Sequence, residues 1–264
     1  MKKLIMVLAA TLICGTSLFT SCKKDEDLKL EEKIIGKWML ADIDGQAAET
    51  NKKNVYTFVS ATKAYRSASL NWRPGSTSKW IQTEEYDVAI DGNKVALTTH
   101  RDEHTTVVLV FTFTDITSNE FTAKLNATVT NNGSVTFTVN ETDRYEKITV
   151  DYRQAILGTW QGHCTSEGSV FDDGQEHRWE YRADGTYTYY VMDGDNWVPY
   201  EGNTLNEYFV DGTLLCTRWI DNGQENREWW EISINGNRMN WTALRKNADG
   251  TTFTATFEME KVSQ

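Results

Sequence analysis

Ile34-Ile35-Gly36-Lys37-Trp38 recurs 122 residues later as Ile156-Leu157-Gly158-Thr159-Trp160. Three further pairs of segments match in the same order, at offsets of 120, 118 and 114: residues 88–92 with 208–212, 116–121 with 234–239, and 145–147 with 259–261. A single match of this kind is weak, but four in one order with a slowly drifting offset indicate a duplication with small insertions and deletions. A period near 120 residues is too long for a solenoid repeat, so each copy is predicted to be a closed domain.

The composition of both copies favours β-strands. The chain has 10 Trp, 11 Tyr and 10 Phe but only two prolines, and Thr and aromatic residues crowd its alternating stretches. Turn signals such as Asp91-Gly92-Asn93 separate these stretches, and no long window shows apolar residues at helical spacing. The predicted class is all-β, with each copy closing into an antiparallel up-and-down barrel because closure removes exposed strand edges.

The repeated Gly-x-Trp motif resembles the lipocalin signature. In each copy it follows a short helical-looking stretch and opens the first strand. The resemblance implies that Trp38 and Trp160 close the barrel floors, and that a basic residue of each last strand, Lys147 or Lys261, packs over the indole. It also implies two lipocalin-like barrels, at residues 31–148 and 149–264. Two β-sandwiches, in which both tryptophans are ordinary core residues, are the alternative.

The N-terminus resembles a bacterial lipoprotein signal. Two lysines precede an apolar stretch from Leu4 to Cys14, which is shorter than the roughly 20 residues of a membrane-spanning helix, and a small residue directly precedes Cys22. The resemblance implies a signal peptide at residues 1–21, with a lipidated Cys22 and a charged tether at residues 22–30. A retained anchor helix is the alternative.

The residues that follow Cys22 refine the predicted location. Lys23-Lys24-Asp25-Glu26 resembles a surface-export signal of one group of Gram-negative bacteria. It implies a protein anchored by lipid in the outer membrane and displayed at the cell surface. An ordinary solvated tether on the periplasmic face is the alternative.

Charge differs between the two copies and limits the partners. Residues 28–148 hold 14 basic and 16 acidic residues, whereas residues 149–264 hold 9 and 19. The acidic second copy repels phosphate backbones, so nucleic acid is not an expected partner. A monomer is expected.

Two cysteines remain once Cys14 is removed with the signal and Cys22 carries lipid. Cys164 and Cys216 both lie in the second copy, and the aligned positions of the first copy hold Asp42 and Ala96. Their joint absence from the first copy, in an oxidising compartment, favours a Cys164–Cys216 disulfide. Strand parity argues against it, so two buried thiols stay open as the alternative.

No catalytic motif is found in a fitting context. The string from His100 to His104 spells H-x-x-E-H, but it joins two Thr/Val-rich strands instead of lying on a helix. No nucleophile elbow, phosphate loop or calcium-loop spacing occurs. The chain is therefore predicted to be non-enzymatic, without cofactor or metal.

Tryptophans of the second copy indicate a ligand site. By strand parity the candidate ligand-binding residues are Trp219, Trp230, Trp241, Phe253 and Phe257. The leading hypothesis is a barrel that holds a small apolar, amphipathic or sugar-like molecule. The alternative is a surface interaction protein with filled barrels that contacts glycans or host proteins.

Overall fold

The computed structural model describes residues 28–67, 83–166 and 171–263. The signal peptide and lipidated Cys22 predicted above lie outside the described residues. Apart from the short helix α1 (Leu30–Lys33) and a 3-10 turn (Thr50–Lys52), the regular structure of the described residues is β-strand. No helix among these residues is long and apolar enough to cross a membrane.

The first copy is a closed antiparallel barrel. Strand β1 pairs with β3 on one side and with β9 on the other, so that β1 and β3 to β9 form a ring of eight strands, with the short β2 added beside β1. The strands are β1 Gly36–Ile43, β2 Gln46–Ala47, β3 Val55–Ser60, β4 Lys63–Ser67, β5 Glu84–Asp91, β6 Lys94–His100, β7 Thr105–Ile116, β8 Glu120–Asn131 and β9 Ser134–Ile148.

The second copy repeats the order but closes less completely. Its strands are β10 Gly158–Cys164, β11 Glu176–Tyr181, β12 Tyr187–Asp193, β13 Asn196–Pro199, β14 Asn203–Asp211, β15 Leu214–Asp221, β16 Gln224–Asn235, β17 Arg238–Lys246 and β18 Thr252–Lys261. In this sheet β10 pairs with β18, and β13 and β14 are the two ends of the strand order.

A hairpin interrupts the second barrel. In the first copy β4 and β5 pair at four positions, whereas no ladder joins β12 to β14 in the second copy, where Thr186, just before β12, makes an isolated bridge with Glu207. The chain turns back at Gly194, with a φ of +59°, and β13 takes the edge of β12 from Tyr190 to Asp193. The all-β class with tandem up-and-down barrels is confirmed, but the second barrel is curled and not sealed by a continuous ladder.

Each copy encloses its own core. The first interior is lined by Trp38, Tyr56, Tyr86, Phe111 and Tyr145 among others, all nearly inaccessible to solvent. The core of the second is richer in indole. Each copy therefore packs as one curled sheet around its own side chains, as a barrel does.

A third apolar cluster joins the two barrels. Met39 and Val55 of the first barrel are buried together with Leu214, Cys216 and Trp229 of the second. Trp229 and its neighbour Trp230 point to opposite faces of β16, as strand geometry predicts: Trp230 lies inside, and Trp229 lies outside under the first barrel.

Polar contacts flank this interface. Lys53 Nζ lies 2.8 Å from Glu231 Oε1, and Lys37 forms an ion pair with Asp211. The backbone N–H of Leu244 donates to Thr50 Oγ1 at 2.9 Å. The two barrels are thus held together by a buried apolar centre with a polar edge, the usual anatomy of an interface.

The structure corrects the candidate disulfide. Cys164 and Cys216 are not joined: Cys164 belongs to the core of the second barrel, and Cys216 belongs to the cluster between the barrels. The two side chains thus lie on opposite sides of the barrel wall, and a bridge would have to pass through it. Burial raises the pKa of the Cys216 thiol well above its ordinary value, which keeps it protonated.

Candidate functional site

The four predicted floor residues are brought together as two matching pairs. Trp38 Nε1 donates to the Ile34 carbonyl at 2.6 Å, and Lys147 Nζ lies 4.9 Å from the centre of the indole. In the second barrel, Trp160 Nε1 donates to the Ile156 carbonyl at 2.6 Å, with Lys261 Nζ at 5.0 Å from the indole. A cation at this distance over an indole stabilises by about 0.5–2 kcal/mol.

Glycine in the Gly-x-Trp motif is required by this arrangement. Gly36 has a φ of +132°, and a Cβ there would lie 2.7 Å from Lys147 Cε. Gly158 has a φ of +110°, and a Cβ there would lie 3.0 Å from Lys261 Cε. The lysine stem passes over the glycine to reach the indole, so the motif and the distant lysine form one structural unit.

Aromatic rings fill the interior of the second barrel. The centre of the Trp241 ring lies 5.4 Å from that of Trp230 and 5.7 Å from that of Phe257, and Trp230 and Phe257 are 5.5 Å apart. All three side chains are buried. This core aromatic cluster corrects the prediction of an open ligand cavity lined by these residues, since their own rings occupy that space.

The other two candidate ligand residues lie apart from this cluster. Phe253 is partly buried and packs against the core from β18, opposite Arg245. Trp219 is partly exposed on β15, where it stands opposite Asn206 and Asn226.

A second group of rings lies on the core aromatic cluster and reaches solvent. This rim cluster consists of Phe171, His177, Trp179 and Tyr189, all partly exposed. The His177 ring stacks on Trp179 at 5.5 Å and on Tyr189 at 6.0 Å, and Trp179 lies 4.8 Å from the core residue Trp241.

Hydrogen bonds fix the rim cluster in place. His177 Nδ1 lies 2.8 Å from the Tyr189 hydroxyl, and its Nε2 lies 3.1 Å from Asp173 Oδ1. Burial raises the pKa of the Tyr189 phenol, so the hydroxyl stays protonated at neutral pH. The rim cluster is therefore a preformed aromatic surface supported from below.

A partly buried arginine lies beside these rings. Arg245 Cζ is 4.9 Å from the centre of the Trp230 ring and 5.8 Å from that of Phe171, and its Nη2 donates to the Trp229 carbonyl at 3.0 Å. Its Nε is buried and has no hydrogen-bond partner among the described residues. Burial lowers the pKa of Arg245, and the nearby Glu228 carboxylate opposes that effect.

Sequence reasoning missed Arg245, His177 and Tyr189. A charged residue on an alternating strand normally reads as a solvated outer position, and His177 has no partner residue at motif spacing. Their inward parity on β17, β11 and β12 was the only available signal. No set of three His, Cys, Asp or Glu side chains in the described ranges is arranged to hold a metal ion.

Comparison with known proteins adds no family. No family model matches the sequence, and no curated protein matches it. Among solved structures, a double mutant of the vaccine antigen transferrin binding protein B from Haemophilus parasuis aligns with 80% of this chain at 9% identity and a TM-score of 0.25. A protein of unknown function of the DUF3598 family from Nostoc punctiforme aligns with 88% of this chain and 97% of its own, at 9% identity and a TM-score of 0.24.

This chain spans 53% of the length of the Haemophilus protein. Likenesses at these identities and TM-scores decide nothing about activity or partners.

Proposed function

We propose that this chain is a lipid-anchored, non-enzymatic binding protein of the bacterial cell envelope, which holds a small amphipathic planar molecule on the rim cluster of its second barrel. One observation carries the proposal. Partly exposed, stacked rings lie on a rigid aromatic core, beside an arginine whose Nε lacks a hydrogen-bond partner in the described chain.

The rim cluster suits such a ligand because it is ordered before binding. Offset or edge-to-face ring contacts contribute about 0.5–1.5 kcal/mol each beyond area burial, and side chains that are already fixed lose little entropy on binding. An acidic group on the ligand would satisfy the Arg245 guanidinium, and charge-assisted hydrogen bonds are about twice as strong as neutral ones. The ligand would therefore be apolar on its face and acidic at its edge.

A surface interaction protein with filled barrels is the second candidate. Ring centres only 5.4–5.7 Å apart in the core aromatic cluster favour this candidate, because the protein's own side chains fill that part of the barrel interior. In that case the outer walls would make the contacts.

The location is tested by Cys22→Ala. The predicted signal ends at this residue, so the variant should lose membrane association or stall before cleavage. Membrane and soluble fractions, compared by immunoblot with the unaltered chain, give the result. Unchanged membrane association would overturn the lipoprotein assignment.

Display at the cell surface is tested separately. Alanine at Lys24, Asp25 and Glu26 should reduce the access of added protease to the protein on intact cells, and unchanged access would favour the periplasmic face.

The rim cluster is tested with anilinonaphthalene sulfonate, a planar apolar probe with one acidic group. The full chain in detergent should enhance its fluorescence, and Trp179→Ala and Arg245→Gln should each weaken binding about tenfold, or 1.4 kcal/mol. Trp197→Ala removes a tryptophan from the outer wall instead and should leave binding unchanged.

Thermal melts of each variant separate lost binding from lost folding. Equal probe affinity in folded Trp179→Ala and Arg245→Gln would remove the rim cluster as the site. Equal loss in all three variants would indicate non-specific dye adsorption and would also count against the proposal.

A further inference from the structure

A polar groove crosses the outer wall of the second barrel, on the opposite side of the sheet from the rim cluster. It has a volume of about 620 Å³ and lies where β11, β10, β18 and β17 run side by side. A barrel wall is convex over most of its surface, so a concave stretch of this size needs a local cause.

Gly162 lies at this stretch of the wall. It lines the groove opposite Met259, and a Cβ at this position would lie 1.9 Å from the carbonyl oxygen of Glu258. No L side chain fits at that distance, so only glycine lets β10 and β18 pair this closely. The groove lies over this close pairing.

Strand register arranges the groove side chains in rows. Glu176, His163, Glu258 and Asn240 stand opposite one another on four successive strands, which makes the first row. Neighbouring strands lie about 4.8 Å apart, so four side chains span about 15 Å. The row presents carboxylate, imidazole, carboxylate and amide groups to the same surface.

A second row runs beside the first. Arg178, Gln161, Glu260 and Arg238 stand opposite one another on the same strands. Gln161 links the two rows, since its Nε2 donates to Glu176 Oε2 at 2.5 Å and its Oε1 accepts from Arg178 Nη2 at 2.5 Å.

An aromatic ring ends the second row. The Arg178 guanidinium lies 4.5 Å from the centre of the Trp197 ring, which is partly exposed on β13. Trp197 therefore extends the polar row with a flat apolar surface at the side of the groove.

The two copies differ at the β10 side of the groove. The 122-residue offset aligns Gln161 with Met39, whose outer face is buried in the cluster between the barrels. At the offset of 114, Glu260 aligns with Glu146, which is polar and exposed in both copies. The first copy is therefore covered at the position of Gln161, where the second copy is open.

We propose that this groove binds a neutral carbohydrate chain. Sugar hydroxyls both donate and accept hydrogen bonds, and planar carboxylate, amide and imidazole groups in rows can pair with several of them. A pyranose ring can also place its C–H face on the Trp197 indole. The three groove glutamates are nearly balanced by Arg238 and Lys261, so the groove has no strong field that would favour a charged polymer. It also lacks the apolar centre that a protein interface normally has.

The test uses the full chain in detergent with a panel of neutral linear glucan, mannan, galactan and xylan oligosaccharides on an array. Binding to at least one member is expected, with confirmation by titration calorimetry. Asn240→Trp should block the groove and Gln161→Ala should break the link between its rows. Each is expected to weaken binding at least about tenfold, or 1.4 kcal/mol.

Asn126→Ala is the matched control. It removes an exposed asparagine from the outer face of a strand in the first barrel and should leave binding unchanged. Thermal melts show whether each variant is folded, and Asn240→Trp changes an exposed position that the fold does not need. Binding to none of the oligosaccharides, binding that survives Asn240→Trp, or binding confined to basic peptides would each overturn the proposal.

Discussion

Trp38→Ala and Trp160→Ala are each expected to lower the free energy of unfolding by about 3–5 kcal/mol, the usual range for truncating a buried large aromatic residue. Both indoles are 0% exposed, and each donates a hydrogen bond to the carbonyl of an isoleucine four residues earlier. The change also leaves the ammonium of Lys147 or Lys261 without the ring it lies over. Equilibrium urea unfolding followed by circular dichroism measures the loss.

Phe137→Ala is the matched control for these substitutions. Phe137 belongs to the first barrel, but its side chain is 52% exposed, so the expected change is within about 0.5 kcal/mol. A loss below about 1 kcal/mol for either tryptophan would show that the corresponding floor does not support its barrel.

Asp143→Asn is expected to stabilise the protein above neutral pH by about 4 kcal/mol. Asp143 is 1% exposed inside the first barrel, with the Tyr145 hydroxyl 3.4 Å from its Oδ2. Burial, reinforced by the negative charges of Glu141 and Asp44, raises the pKa of Asp143 to about 7 from 3.8. Each pH unit of difference between the folded and unfolded pKa corresponds to about 1.4 kcal/mol, which gives the expected size.

The sign of the pH dependence follows from proton binding. Between about pH 4 and pH 7 the folded chain keeps a proton on Asp143 that the unfolded chain has lost. The contribution of protonated Asp143 to the free energy of unfolding is therefore fully present below pH 4 and is lost as the pH rises to about 7. Asp143→Asn should remove this part of the slope, and unfolding curves measured from pH 4 to pH 8 test it.

Asp87→Asn provides the comparison, since Asp87 is exposed on β5 of the same barrel. It should leave the slope between pH 4 and pH 7 as it is in the unaltered chain. An equal slope in Asp143→Asn and the unaltered chain would mean that the carboxyl group is ionised in the folded protein at ordinary pH.

The parts of the fold that depend on periodicity were predictable from the sequence. The repeated Gly-x-Trp context located both barrels, and the resemblance to the lipocalin signature implied that Lys147 and Lys261 pack over their tryptophans. Opposite parity of Trp229 and Trp230 followed from strand geometry alone. These features are either local to one strand or repeated in both copies, so short stretches of sequence are enough to reveal them.

The rest depends on how the walls pack. The hairpin of β12 and β13 replaces the pairing that β4 and β5 make in the first copy. No residue in this hairpin indicates whether β12 pairs with β13 or with β14. Trp230, Trp241 and Phe257 look the same in sequence whether they line a cavity or fill it. The groove lies where β10 and β11, at the start of the second copy, meet β17 and β18, at its end, and this meeting of β10 with β18 joins segments that are far apart in sequence.

The buried cluster between the barrels makes each copy depend on the other to stay apart from foreign surfaces. Leu214, Cys216 and Trp229 lie on the outer face of the second barrel and are covered by Met39 and Val55 of the first. A second barrel produced alone would expose these three side chains together as one apolar patch, and such patches promote association with other molecules. The first barrel therefore acts as a built-in cover for the second, whatever either barrel binds.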